Sequence, residues 1–443
     1  MMRSLYSGVA GLKAHQTKMD VIGNNISNVN TVGYKSQSVV FSDVLYQTTQ
    51  SASGANEETG AGGTNAKQIG LGSAVAAIST KVSEAGGYQS TNNPFDIMIN
   101  GDSMFVVNNN GVNYFTKAGN FTVDSAGNLV TSQGYSVMGW IADENGNIKA
   151  DNVSPIAIYS NENKYASPIA TTYVTAGGNI NKEDESFSTI DGTRSFNVSF
   201  YDNTGYKYQA TIQISQDADD KYSYGLAVSS VSCNGETITD DDGNPVTLDL
   251  ATTAIRFDEA TGKLIEPADG KIVMSVESLG AALPTDAAGG VTIDFSSVTC
   301  LGTETALDSD RGNPQDGTGA GRAVGNMSSV SIQKDGKIIA DYDNGDQRVL
   351  AQIVVANFAN LSGLEKVGDN LFAATLNSGE FNGIGDDVTS NGGYFATGVL
   401  EMSNVDLAAE FTDMITTQRG YQANSRIITV SDTMLEELIN LKR

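Results

Sequence analysis

The sequence predicts a mainly β protein with long α-helical termini. The N- and C-terminal helices are expected to pair as a coiled coil, with inner and outer β domains inserted between them. Three observations carry this expectation. Apolar residues recur at alternating spacings of four and three in both the first 30 and the last 40 residues. Between those ends, apolar and polar residues alternate along short runs bounded by turn residues. The formal net charge of −26 is partitioned, with +2 over residues 1–50 and −2 over 404–443, so the excess lies in the middle.

At the N-terminus, Leu5, Val9, Leu12, Met19 and Ile26 form one narrow stripe that Gln16 and Gly23 interrupt. Asn24, Asn25, Asn28, Asn30 and Gly33 follow, residue types that tolerate turn and left-handed backbone, and are expected to end the helix. Residues 31–70 read as an extended linker arm, because Ser51–Ala66 has no apolar residue larger than Ala. An inner β domain is expected from 71–144 with 323–403, and an outer acidic β domain, one unit or two small ones, from 145–322. In the latter, Phe196, Val198 and Phe200 alternate up to Asp202-Asn203-Thr204-Gly205, and Tyr206, Tyr208, Ala210, Ile212 and Ile214 alternate away from it, the pattern of a hairpin. Tyr222/Tyr224/Leu226/Val228, Ile272/Met274/Val276 and Val291/Ile293/Phe295 keep the same period, and Asp335-Gly336 divides Val330/Ile332 from Ile338/Ala340/Tyr342. Antiparallel pairing is therefore expected throughout. Residues 181–320 carry 24 Asp/Glu against 8 Lys/Arg, which reads as a solvated surface.

The C-terminal stripe is stronger. Leu407, Phe411, Met414, Tyr421, Ile428, Leu435 and Ile439 keep one phase, with Gln418, Ser425 and Asp432 as its polar members. Ser403 and Asp406 read as a capping box, and Lys442-Arg443 suit the negative end of the dipole, so a helix of roughly 55 Å is expected from about Val405 to Leu441. Residues 1–30 with 404–443 would form a terminal helical core domain. Both stripes are narrower than the face of a helix that covers a globular core. Such ends are marginal alone in water, so they are expected to be mobile in the monomer and to order when copies pack together. Unlike surfaces that join head to tail without closing a ring build a helical homopolymer.

Composition argues against chemistry. With one His and two Cys, acid–base and thiol catalysis have few candidates, and no catalytic residue, cofactor or metal site is expected. The negative charge repels phosphate backbones, so no nucleic acid partner is expected. No apolar run of 18 residues exists, so neither is membrane insertion. Residues 1–8 lack the layout of a cleaved signal, which by residues alone points to the cytosol. Gly70-Leu71-Gly72 and Gly319-Ala320-Gly321 begin like dinucleotide loops but do not continue as such. Asp240-Asp241-Asp242-Gly243-Asn244 resembles a calcium loop, yet Ile238 would stand at its first ligand position. His15 lies off the stripe with no nucleophile beside it. Cys233 and Cys300 have no CxxC spacing, which leaves free thiols or a disulfide open.

Asn24 to Lys35, NNISNVNTVGYK, with Phe41-Ser42-Asp43-Val44-Leu45 after it, resembles the N-terminal signature of the flagellar rod and hook protein family. Within it stand Asn24, Asn25, Asn28, Asn30, Gly33, Tyr34 and Lys35. The segment from Leu400 to the end resembles the family's C-terminal signature, which includes Gln418, Arg419, Tyr421, Gln422 and Asn424. Pro94–Trp140 is similar to its shared β region. Tyr201–Gly205, Phe257–Leu264, Gly336–Ile338, Tyr342–Gly345 and Asn357–Phe372 look like the hook branch, whereas rod members are generally shorter. The match is good over 1–140 and 323–443 and patchy between.

The resemblance implies a structural subunit of the bacterial flagellar hook, a flexible tubular universal joint that passes motor torque to the filament. The terminal helices would form its innermost layer, around an export channel. It implies as partners other copies of the chain, the rod, hook cap and hook–filament junction proteins, and the type III export apparatus. That apparatus takes uncleaved signals, so the implied location becomes extracellular, in the flagellar hook and basal body. A distal rod protein is the alternative within the family. A secreted calcium-binding β adhesin is the alternative from another class. Some members cross-link subunits through a Cys and a Lys, a further fate for the two thiols.

Overall fold

The computed structural model describes residues 2–54, 60, 62–143, 146–187, 192–239, 243–276, 279 and 290–441. The Lys442-Arg443 helix end and Asp240–Asp242 of the calcium-like turn lie outside the described residues. The chain divides into two compact units. One comprises Met1–Ser160, Val330–Ala340 and Arg348–Arg443, the other Asn161–Ser329 and Asp341–Gln347.

The first unit begins with helix α1 (Met2–Ser27) and ends with helix α2 (Leu407–Asn440). Asp406, extended at φ −92°, is the N-cap of α2, its carboxylate accepting from the amides of Ala408 and Ala409. The capping box does not form as expected. Ser403 lies before the cap, and its hydroxyl accepts from the amide of Val405 instead. Strand β1 (Gln37–Asp43) pairs antiparallel with β4 (Ser73–Thr80), and β2 (Tyr46–Gln50) with β3 (Lys67–Gly70). Ser53 and Thr64 exchange both backbone hydrogen bonds, which carries the second ribbon into the Gly/Ser/Thr-rich segment. Backbone pairing needs no large side chains.

The body of this unit is a twisted antiparallel sheet. Met104–Asn109 turns through Asn110 and Gly111, both at positive φ as a two-residue hairpin requires, into Val112–Thr116. Leu371–Ala373 and Glu365–Gly368 extend it on one side, Ser136–Ile141 on the other. Met104, Val106, Phe115, Met138, Trp140, Val354 and Phe372 fill its core. Trp140 Nε1 donates to the carbonyl of Ile384 at 2.9 Å, which satisfies its one polar atom.

In the second unit, Thr193–Tyr201, Lys207–Gln216 and Ser223–Cys233 form the expected hairpins. A second sheet holds Lys271–Ser275, Gly290–Thr299, Tyr173–Asn179 and Ala306–Arg311. One pairing departs from the antiparallel expectation: Tyr173–Asn179 runs parallel to Gly290–Thr299, because the chain returns to that strand only after building the other sheet. The inward members of the alternating runs, among them Phe196, Val198, Phe200, Ile212, Met274, Ile293 and Phe295, meet in one apolar core.

This fold separates the two cysteines. Cys300 is buried with its sulfur 3.7 Å from the Tyr224 hydroxyl, while Cys233 is at the far end of the strand that holds Tyr224, roughly 30 Å away at ~3.3 Å per residue. That distance excludes a disulfide between them. Among the described residues, no helix is long and apolar enough to cross a membrane.

Candidate assembly surface of the terminal helices

Helices α1 and α2 pack antiparallel. Ser4 meets Ser431, Gly8 meets Ile428, Gly11 meets Asn424, His15 meets Gly420 and Lys18 meets Asp413. The contact is made by small residues. A Cβ added at Gly11 would come 2.7 Å from the Asn424 amide, and one at Gly420 would come 2.7 Å from the His15 ring. Gly72, in the first of the dinucleotide-like triplets, serves the same end, bringing the β3–β4 turn against Ser7 and Ala10.

The buried residues of α1 are Gly8, Gly11, Ala14, Ile22 and Asn25. This row runs one position ahead of the apolar stripe read from the sequence. Consequently Leu5, Leu12, Met19 and Ile26 are half-buried along its edge and Val9 is 42 % exposed. His15, read as off the stripe, lies on the paired face, edge-on to Phe41 at 5.9 Å. On α2 the covered row is Met414, Thr417, Gly420, Asn424, Ile428, Ser431 and Leu435, spaced by threes and fours as a coiled-coil seam is. Met414, Ile428 and Leu435 were expected there. Leu407, Phe411, Tyr421 and Ile439 are instead exposed, Ile439 by 69 %. Hydrophobic spacing locates large residues, but close helix approach is set by the residues that lack a side chain.

Two apolar rows therefore remain open. Met2, Tyr6 and Val9 line one side of α1, and Ile427, Val430, Met434, Leu438 and Leu441 follow one side of α2. The tip of the pair is the more apolar part.

At the opposite end, a polar hub locks the pair to the body. Asn25, 1 % exposed, donates to Glu410 Oε1 at 2.9 Å and to the carbonyl of Gln37 at 2.8 Å, and accepts from the Tyr34 hydroxyl and the Gln37 amide. All of its hydrogen-bonding positions are used. Burial pushes the Glu410 carboxyl up, and burial with the nearby Glu410 pushes the Tyr34 phenol up. Asn24 and Asn25 are helical residues here. Their side chains are tertiary connectors, and the helix ends after Ser27. Asn28 turns back onto Asn24, and Asn30 is exposed. Gly33, at φ +68° with no room for a Cβ beside Ala118, makes the tight turn.

Lys35 then enters the interior. Its ammonium meets Glu401 Oε1 at 2.8 Å and the carbonyl of Glu84 at 2.7 Å, and the amide of Gly86 donates to that same carboxylate oxygen as its second partner. Lys117 lies close enough to Glu401 to feel its charge. In the C-terminal signature, Gln418, Arg419 and Gln422 are exposed, with Arg419 donating to Gln422 at 3.3 Å, while Asn424 packs on Gly11. Sequence reading missed Gly8, Gly11, Gly420, Glu401 and Glu410. The i, i+3 spacing of Gly8, Gly11 and Ala14 was the one available signal. Among the described residues, no group of three His, Cys, Asp or Glu could hold a metal ion.

Comparison with known proteins places the chain among flagellar axial proteins. Family profiles described as flagella basal body rod protein, flagellar hook protein FlgE/F/G D1 domain and flagellar basal body rod FlgEFG protein C-terminal match residues 5–35, 98–166 and 396–441. The chain is 36 % identical to the flagellar hook protein FlgE of Borreliella burgdorferi and 33 % identical to that of Treponema pallidum, in each case over all of both chains. It is 29 % identical to the flagellar basal-body rod protein FlgG of Bacillus subtilis, again over all of both chains.

Proposed function

The chain belongs to the flagellar hook protein family, and from that premise we propose that it assembles into the hook through α1 and α2, each copy leaving apolar rows that its neighbours close. It is a structural subunit, and the rod reading is the lesser one, given its lower identity. The observation that carries the proposal is the mismatch of phase. Intrachain pairing uses the glycine row of α1, which leaves Met2, Tyr6 and Val9 and the Ile427–Leu441 row of α2 to be covered by other copies.

In this reading residues 1–30 and 404–443 form the core of the tube and residues 31–70 bridge toward neighbouring subunits. The expected seam residues divide between the two tasks. Met414, Ile428 and Leu435 serve the intrachain pair, while Val9, Leu407, Phe411, Tyr421 and Ile439 serve the polymer. The same reading has the chain leave the cell through the flagellar type III export apparatus, join rod, cap and junction proteins at the ends of the hook, and carry out no chemistry.

The test is surgical. Val430→Ser with Leu438→Ser alters only exposed positions, so circular dichroism and monomer stability should stay as in the wild type. Tube formation, followed by light scattering and electron microscopy, should fall at least tenfold. Tubes growing at the wild-type rate would refute the proposal.

A further inference from the structure

Beside the tight turn at Gly33, a cavity of about 140 Å³ is lined by Asn24, Asn28, Tyr34, Lys366 and the Asp369-Asn370 turn. That is several times the roughly 30 Å³ taken up by one water in the liquid. Lys366 is half-buried on its wall. Its ammonium is 4.6 Å above the Tyr34 ring and donates to the carbonyl of Lys35 at 2.9 Å. Neither partner carries a full negative charge, and an ammonium has three protons to give. Asp369, on the rim, is exposed, and no ion pair joins it to Lys366 among those formed by the described residues. Burial pushes the Lys366 amine down to about 8, with no carboxylate near enough to raise it. The arrangement is unusual in a chain with 52 acidic against 26 basic residues, where carboxylates outnumber cations twofold.

We propose that this cavity is a subunit contact: it receives an Asp or Glu side chain of a second copy of the chain, whose carboxylate pairs with Lys366. The inference rests on the assembly reading above. A polymer built from unlike surfaces needs a recess on one face matched by a projection on another. A strongly acidic chain supplies the projection from almost any exposed turn. A partly desolvated ammonium gains most from a carboxylate that arrives with its own water already displaced. The cavity abuts the Asn25 hub, so the contact would also brace the junction of the helices with the sheet.

Zero-length carbodiimide coupling tests this on full-length protein, since it joins an amine to a carboxylate only when the two touch. Polymer grown from an equal mixture of ¹⁴N- and ¹⁵N-labelled copies is coupled, digested and read by mass spectrometry, with monomer as the control. Mixed-isotope peptides joining Lys366 to an Asp or Glu are expected in polymer and absent from monomer. Lys366→Gln should raise the critical concentration for assembly about fivefold, while Asp369→Asn leaves it unchanged. Polymer that couples elsewhere but not at Lys366, or links Lys366 only to its own copy's Asp369, overturns the inference and leaves the assembly reading intact. Failure of wild-type protein to polymerise at all would remove both.

Discussion

Lys117 is among the most deeply buried charges in the chain, with its ammonium 2.6 Å from the carbonyl of Gly101. Loss of water outweighs the attraction of Glu401, and the repulsion of Lys35 adds to it, so the amine falls from 10.5 to about 8. The sign of the consequence follows from proton counting. Between about pH 8 and 10.5 the unfolded chain holds a proton that the folded chain has released, so this group makes stability rise with pH across that window and penalises the fold fully below it. Lys117→Met removes the titration. Compared with wild type in urea unfolding, the variant should be more stable at pH 7.5, by up to ~2–3 kcal/mol before the lost hydrogen bond is counted, with the advantage shrinking by pH 10. An unchanged difference across that range would show that Lys117 is not the titrating group. Neighbouring Lys35 is equally buried but is in direct contact with the Glu401 carboxylate and with a carbonyl, so removing either partner would leave a bare interior charge.

The helices behave differently from isolated amphipathic segments. Glycine is a poor helix former, costing about 1 kcal/mol against alanine, yet α1 keeps Gly8, Gly11 and Gly23. The first two face α2, where a Cβ at Gly11 would come 2.7 Å from Asn424 and one at Gly8 3.3 Å from Ile428, whereas a Cβ at Gly23 would meet nothing within 4 Å. Their substitutions should therefore have opposite signs. Gly23→Ala should slow amide exchange through α1, a gain of about 0.5–1 kcal/mol from reduced chain freedom. Gly11→Leu should force the helices apart at Asn424, cost about 1–3 kcal/mol as overpacking does, and speed exchange in both helices. Equal effects at the two sites would mean that α1 and α2 do not pack through the glycine row.

At the level of the whole molecule, acidic charge is concentrated in the second unit, since residues 181–320 alone carry a net −16. Surfaces of like charge keep their water and resist forming fixed apolar contacts, which suits units that must slide past their neighbours while a polymer bends. The cut should follow the fold. Ile156 and Ile158 are fully buried in the first unit, so a deletion beginning at residue 145 would remove part of its core. Replacing residues 161–329 with a short linker should leave tube assembly intact and lengthen the persistence length of the tubes in electron micrographs. Loss of assembly would tie the second unit to polymerisation and end the idea that it serves bending alone.

Much of this was legible in the chain before any coordinates. Most members of the period-two runs became strand residues with the expected inward faces, Phe196, Val198 and Phe200 being nearly inaccessible, whereas Tyr206 is exposed in the turn before its strand. The ends became helices, because period and capping are local properties that neighbouring residues settle among themselves. Tertiary structure decided what depends on residues far apart in sequence. It set the phase of α1 on α2, since glycine carries no hydrophobic signal and yet admits the closest approach. It joined Lys35 to Glu401 and Asn25 to Glu410 across most of the chain, made one strand pair parallel, and placed the two cysteines out of reach of each other. A pattern records what each residue prefers to bury. Only packing determines which partner does the burying, and which apolar rows are left over for another copy.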